Sequence, residues 1–260
     1  MSKLLDVLDK IKDGSPIPLG FSVKRPEKLP GMALIGLVSK DYANGIGIVK
    51  TEGLDALILA SSGDPKDVND VTDNLDGKPW GVKVSGLSRD SAQVYQDSGS
   101  DALVFDIEGT SASAIVNDDL ARFLCVEPNM EDKDLRAVSS LPIDGFLMPL
   151  TQGNDGLTLG DLALIGSISR RSDKYILLEV QKPIEGKDLE ALRDIGVHGL
   201  IVDVDVMDLD NLKNLKTSLM EMPKPTFKRR DRPIAILPGS VFAPVEEPEP
   251  HEDEEEEDDE

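Results

Sequence analysis

Apolar residues in this chain fall into short, evenly spaced runs separated by polar stretches. The runs read MALIGLVS (Met32 to Ser39), ALILASS (Ala56 to Ser62), WGVKVS (Trp80 to Ser85) and ALVFDIE (Ala102 to Glu108). RFLCVEP (Arg122 to Pro128), GFLMPLT (Gly145 to Thr151), YILLEVQ (Tyr175 to Gln181) and LIVDVD (Leu200 to Asp205) follow. Their length and β-branched content predict strands. Eight such runs, each followed by room for a helix, predict an α/β chain folded as a single (β/α)8 barrel.

The stretches between the runs carry helix signals. Lys3 to Lys12 can place Leu4, Leu5, Leu8 and Ile11 on one face. Asp64 can cap a helix opening at Pro65, and Ser88 one running through Val94. Glu131 and Asp132 supply negative charge suited to a helix N-terminus. Thr158 to Arg171, Gly186 to Ile195 and Asp208 to Met220 complete the set, and Tyr42 to Glu52 is weakened by Gly45 and Gly47. Pro16 to Val23 reads as an extra strand or plug, because Pro26 and Pro30 leave no helix before Met32. The resulting domain plan is an N-terminal helix and extended plug over 1–31 and the barrel over 32–222. A proline-rich basic arm over 223–245 and a disordered acidic tail over 246–260 complete it.

One phrase recurs before the strands. Gly53-Leu-Asp-Ala-Leu-Ile, Gly99-Ser-Asp-Ala-Leu-Val, Pro142-Ile-Asp-Gly-Phe-Leu and Gly196-Val-His-Gly-Leu-Ile are four versions of it. The glycine or proline ends a helix and the small residue admits the strand. GLDALILAS, GSDALVFDI and GVHGLIVDV resemble the corresponding segments of phosphate-binding-type (β/α)8 TIM barrels, over Met32 to about Met222. The resemblance implies the fold and a site at the C-terminal ends of the strands. It departs from that class at the loops after strands seven and eight, which lack the usual glycine-rich phosphate cradle despite Gly186 and Lys187.

Alternation along each strand gives a map of inward residues. Lys83 on strand three, Asp106 on strand four, Glu127 on strand five, Glu179 on strand seven and Asp203 on strand eight all point to the barrel axis near the C-terminal ends. These five are the candidate catalytic residues, with Lys83 as acid, base or electrostatic clamp; the competing reading is a polar layer in which Lys83 only neutralises buried acids. Asp106 and Glu127, on neighbouring strands, are candidate Mg²⁺ ligands, since that ion prefers oxygen donors and retains water. No other cofactor is indicated. Cys125 reads as a core residue in a setting that disfavours the thiolate, and Trp80 as packing on the barrel floor. His198 falls at the bottom of the barrel and His251 in the acidic tail, which leaves no histidine-based site.

Charge narrows the partners. The formal net charge is −22, and the twelve acids between Glu246 and Glu260 account for more than half of it. The remainder is acidic too, which argues against nucleic acid. No apolar run is long enough for a membrane helix, and a single cysteine with no apolar leader fits a cytoplasmic location. The oligomeric state is not encoded in any feature. Two readings stay open. In one, the barrel is a lyase or isomerase acting on a small polar metabolite at its mouth. In the other, it is a non-catalytic interaction or scaffold protein that docks a protein partner through residues 223–260, where Lys224, Lys228, Arg229, Arg230 and Arg232 precede the acidic tail.

Overall fold

Strand-forming residues with period-two alternation place strands where the apolar runs stand. The computed structural model describes residues 2–14, 28–39, 53–61, 77–116, 119–151 and 156–223. It contains β1 (Ala33–Ser39), β2 (Ala56–Ala60), β3 (Trp80–Val84), β4 (Ala102–Phe105), β5 (Ala121–Cys125), β6 (Gly145–Leu150), β7 (Tyr175–Val180) and β8 (Gly199–Asp203). All neighbours pair in parallel, and β8 returns to β1, so the sheet closes in chain order. The protein is a (β/α)8 TIM barrel, carried by a compact unit over Met1–Pro225.

The helices are α1 (Lys3–Asp13), α2 (Arg89–Asp97), α3 (Asp132–Ser139), α4 (Leu159–Arg171), α5 (Gly186–Asp194) and α6 (Leu209–Glu221). Side-chain caps hold the starts of α1, α2 and α4, and none is made at α3, α5 or α6. The Ser88 hydroxyl accepts the Ser91 N–H ahead of α2, and Thr158 forms a reciprocal capping box with Asp161 ahead of α4. Gly99 and Gly196 take φ values of +87° and +103° in the turns after α2 and α5, a conformation that costs other residues a Cβ clash.

The link from β4 to β5 corrects the expectation of a helix after every strand. Among the described residues it holds only a 3-10 turn over Ala112–Ile115. Gly109 turns the chain at φ +77°, and the Thr110 hydroxyl donates to the Asp106 carbonyl. Side chains of this kind offer the backbone alternatives to helix. The expected helices at Tyr42–Glu52 and from Pro65, the Pro16–Val23 segment, the centre of the 151–156 loop and the arm and tail lie outside the described residues.

Two apolar layers hold the barrel. Outward side chains such as Leu57, Val82, Phe146 and Leu178 pack against the helices. Inward side chains, among them Ile58, Val104, Phe123, Leu177 and Ile201, fill the interior. Leu4 and Leu8 of α1 join that interior cluster, so α1 itself forms the floor. Trp80 belongs instead to the outer layer, because the phase that turns Gly81 and Lys83 inward turns Trp80 outward. Small side chains explain why a helix fits there. Ala33, Ala56, Ala102 and Ala121 lie in the interior cluster. A Cβ added to Gly145 would come within 2.6 Å of the Phe123 ring, and one added to Gly199 within 2.9 Å of Leu177.

The lead-in phrases have a further role. Asp55, Asp144 and His198, each at the third position of its phrase, accept a backbone N–H from the preceding strand, at Leu34, Arg122 and Ile176. Each also donates its own N–H to the carbonyl of that same residue. Asp101, the fourth member, keeps the backbone bond to Trp80 but turns its carboxylate to α1. It accepts the Ser2 hydroxyl at 2.7 Å and the Lys3 and Leu4 N–H groups at 2.8 and 2.7 Å. The floor helix is thus anchored by the same repeated acid that elsewhere pins one strand to the next.

Candidate functional site at the barrel mouth

Side chains that continue the inward rows past the apolar layers reach the C-terminal end of the barrel. Lys83 on β3 and Glu179 on β7 stand four strands apart in an eight-stranded closed sheet, on opposite walls. Their side chains meet across the mouth, with Lys83 Nζ 2.5 Å from Glu179 Oε2. Both side chains remain about 30% exposed. Beside it lies a cavity of about 260 Å³, lined by Lys83, Asp106, Glu127 and Glu179 together with Cys125, Val126, Leu147 and Pro149. The size is near the lower end of small-molecule sites.

Four of the five candidate residues therefore share one cavity. Asp203 is not among its lining side chains. Its Oδ1 accepts the N–H groups of Asp205 and Val206, at 2.8 and 3.3 Å, and so shapes the turn after β8. Asp106 and Glu127 both face the cavity. Among the described residues no three His, Cys, Asp or Glu side chains form a group that could hold a metal. Mg²⁺ at Asp106 and Glu127 would draw most of its ligands from water.

Cys125 packs against the interior apolar cluster, as expected, and its partly buried side chain also lines the cavity. Its thiol is pushed up to about 12, first by burial and then by the Asp106 carboxylate, which also hydrogen-bonds to it; Lys83 opposes the shift. At the other end of the barrel, His198 is held down at about 4 by burial, with a smaller push from Lys12. It stands edge-on to Tyr175, whose hydroxyl donates to Asp9 of α1. Burial, then that hydrogen bond, raises the Tyr175 phenol. These floor groups are structural.

The fold and mouth define a (β/α)8 barrel with a charged C-terminal pocket. No protein-family model matches the chain, and no curated protein matches it. Solved structures do. The ligand-free tryptophan synthase of M. tuberculosis superposes with a TM-score of 0.59 at 14% identity, over 85% of this chain and 98% of that one. Another form of the Mycobacterium tuberculosis enzyme gives 0.58 at 16% identity, over 84% and 97%. The tryptophan synthase α-subunit of Pyrococcus furiosus gives 0.55 at 13% identity, over 74% and 97%. At these identities the likeness is one of fold. Among the described residues, no helix is long and apolar enough to cross a membrane.

Proposed function

We propose that the mouth is a small-molecule site in which Lys83 works against the surrounding carboxylates in acid–base chemistry of the lyase or isomerase kind. The observation that carries this reading is the Lys83–Glu179 pair, which stays partly exposed and has a lined cavity beside it. An ion pair that served only to neutralise buried charge would be enclosed. Here both partners remain in reach of a ligand. Lys83 would donate a proton or stabilise developing negative charge, while a carboxylate from Asp106, Glu127 or Glu179 takes a proton. Asp203 would act as a positioning residue for the β8 turn. The similar barrels are tryptophan synthases, which supports an enzyme over a purely structural barrel.

The test is a thermal-shift and calorimetric screen of small polar metabolites on the full chain, repeated on Lys83→Met and Asp106→Asn. The expected outcome is a hit whose affinity changes in both variants while their circular dichroism stays native. Identical ligand responses in all three proteins would rule the mouth out. The interaction reading for residues 223–260 rests on their sequence, and deleting them tests it separately: pull-down partners unaffected by the deletion would remove it.

A further inference from the structure

We propose that the mouth takes a compact ligand carrying a protonated amine on a small aliphatic body. The proposal deepens the reading of the mouth as a ligand site and rests on it.

Charge is the first argument. Among the described residues, three carboxyl groups, Asp106, Glu127 and Glu179, face the cavity against the ammonium of Lys83, a formal charge of −2. The Lys83 charge is already matched by Glu179 at 2.5 Å. A carboxylate or phosphate ligand would have to break that pair and then sit beside two further acids. An ammonium can bind the two acids and leave the pair intact.

The second argument comes from the neighbouring loop, independently of the acids in the cavity. Anion sites on barrels of this shape use backbone N–H groups at the ends of the last strands. After β8 those donors are already taken, because Asp203 Oδ1 accepts the N–H groups of residues 205 and 206. After β7, Lys187 is paired with Glu190 at 2.9 Å. The N–H groups of 205 and 206 and the Lys187 ammonium are thus matched within the protein.

Shape and polarity supply the third argument. Val126, Leu147 and Pro149 add apolar lining to the cavity beside the acids. A volume of about 260 Å³ suits a short chain. Such lining suits methylene groups, with the charged end turned to Asp106 and Glu127.

Isothermal titration calorimetry on the full chain at 0.15 M salt tests this with three probes of matched length: putrescine, 1,4-butanediol and succinate. The expected result is binding of putrescine alone, weakened about ten- to hundredfold in the Asp106→Asn/Glu127→Gln double variant. That variant keeps the acidic C-terminal residues, so the loss would report the mouth and not the tail. Lys83→Met should tighten putrescine binding, because it removes a cation facing the ligand. Succinate binding that is lost in Lys83→Met would overturn the amine assignment and leave the ligand site standing. So would MgCl2 binding more tightly than putrescine and depending on Asp106 and Glu127. No binding by any probe, with variants identical to the parent in the metabolite screen, would overturn both proposals.

Discussion

Cys125 reports on the mouth because its thiol feels Asp106 and Lys83 in opposite senses. Asp106→Asn removes a negative charge and a hydrogen bond that favour the protonated form, so the thiol becomes more acidic. Lys83→Met does the reverse. The parent thiol should react with iodoacetamide at pH 8 far more slowly than a model peptide cysteine, by about a thousandfold for a shift from 9 to about 12. Asp106→Asn should speed the reaction and Lys83→Met slow it further. Equal rates in all three proteins would mean the two charges do not face the thiol. His198 makes a second prediction. Its folded value near 4 lies below its unfolded value near 6.5, so the unfolded chain binds more protons between the two. This contribution is complete above pH 6.5 and is lost as pH falls toward 4, with a slope of at most about 1.4 kcal/mol per pH unit. The facing groups, Lys12 and Tyr175 with its partner Asp9, stay unchanged in His198→Asn, which retains an acceptor for the Ile176 N–H. Urea unfolding across this window should therefore show a flatter pH dependence in the variant. Part of this is visible in the sequence. The repeated third position of the lead-in phrase stands out as Asp, Asp, Asp and His, but only the strand register shows that it accepts a neighbouring strand's N–H.

At the scale of elements, α1 shows where pattern reading stops. The row of Leu4, Leu5, Leu8 and Ile11 announces a helix with one apolar face, and the helix is present. Periodicity cannot say what that face covers. The sequence assigns the floor to Trp80, whereas Leu4 and Leu8 close it over a ring of alanines and glycines. The same limit explains the β4–β5 link, where spacing leaves room for a helix but side chains such as Thr110 favour a turn. The anchor of α1 is testable. Asp101→Ala leaves the Ser2 hydroxyl and two helix N–H groups without their acceptor, a cost of about 1–3 kcal/mol. Leu8→Ala opens a cavity beneath the barrel and should cost about 2–5 kcal/mol. Amide exchange should accelerate first in α1 for Asp101→Ala, with the strands unaffected. Uniform acceleration would show that the floor helix and barrel open together.

For the whole molecule, closure of the sheet turns an inward list into a site. Alternation along single strands is enough to turn Lys83 and Glu179 toward the axis. That they meet depends on β8 pairing with β1, which no local pattern reports. The same closure makes Met1–Pro225 a compact unit without the later residues. Residues 226–260 carry Asp231 and the twelve acids of the terminus against Lys228, Arg229, Arg230 and Arg232, a net −9 of the −22. At 0.15 M salt, screening over about 8 Å weakens the reach of solvent-exposed charges. Truncation after Pro225 is therefore expected to leave the thermal midpoint within about 2 °C of the parent, a shift worth less than about 1 kcal/mol for a domain of this size. Putrescine affinity should be equally unchanged at that salt. A fall in both would mean that the later residues help build the barrel, and a fall in affinity alone would place part of the amine site on them. Both are read from one truncated protein by calorimetry, with Asp106→Asn/Glu127→Gln as the control that removes the mouth's charge and leaves the terminus in place.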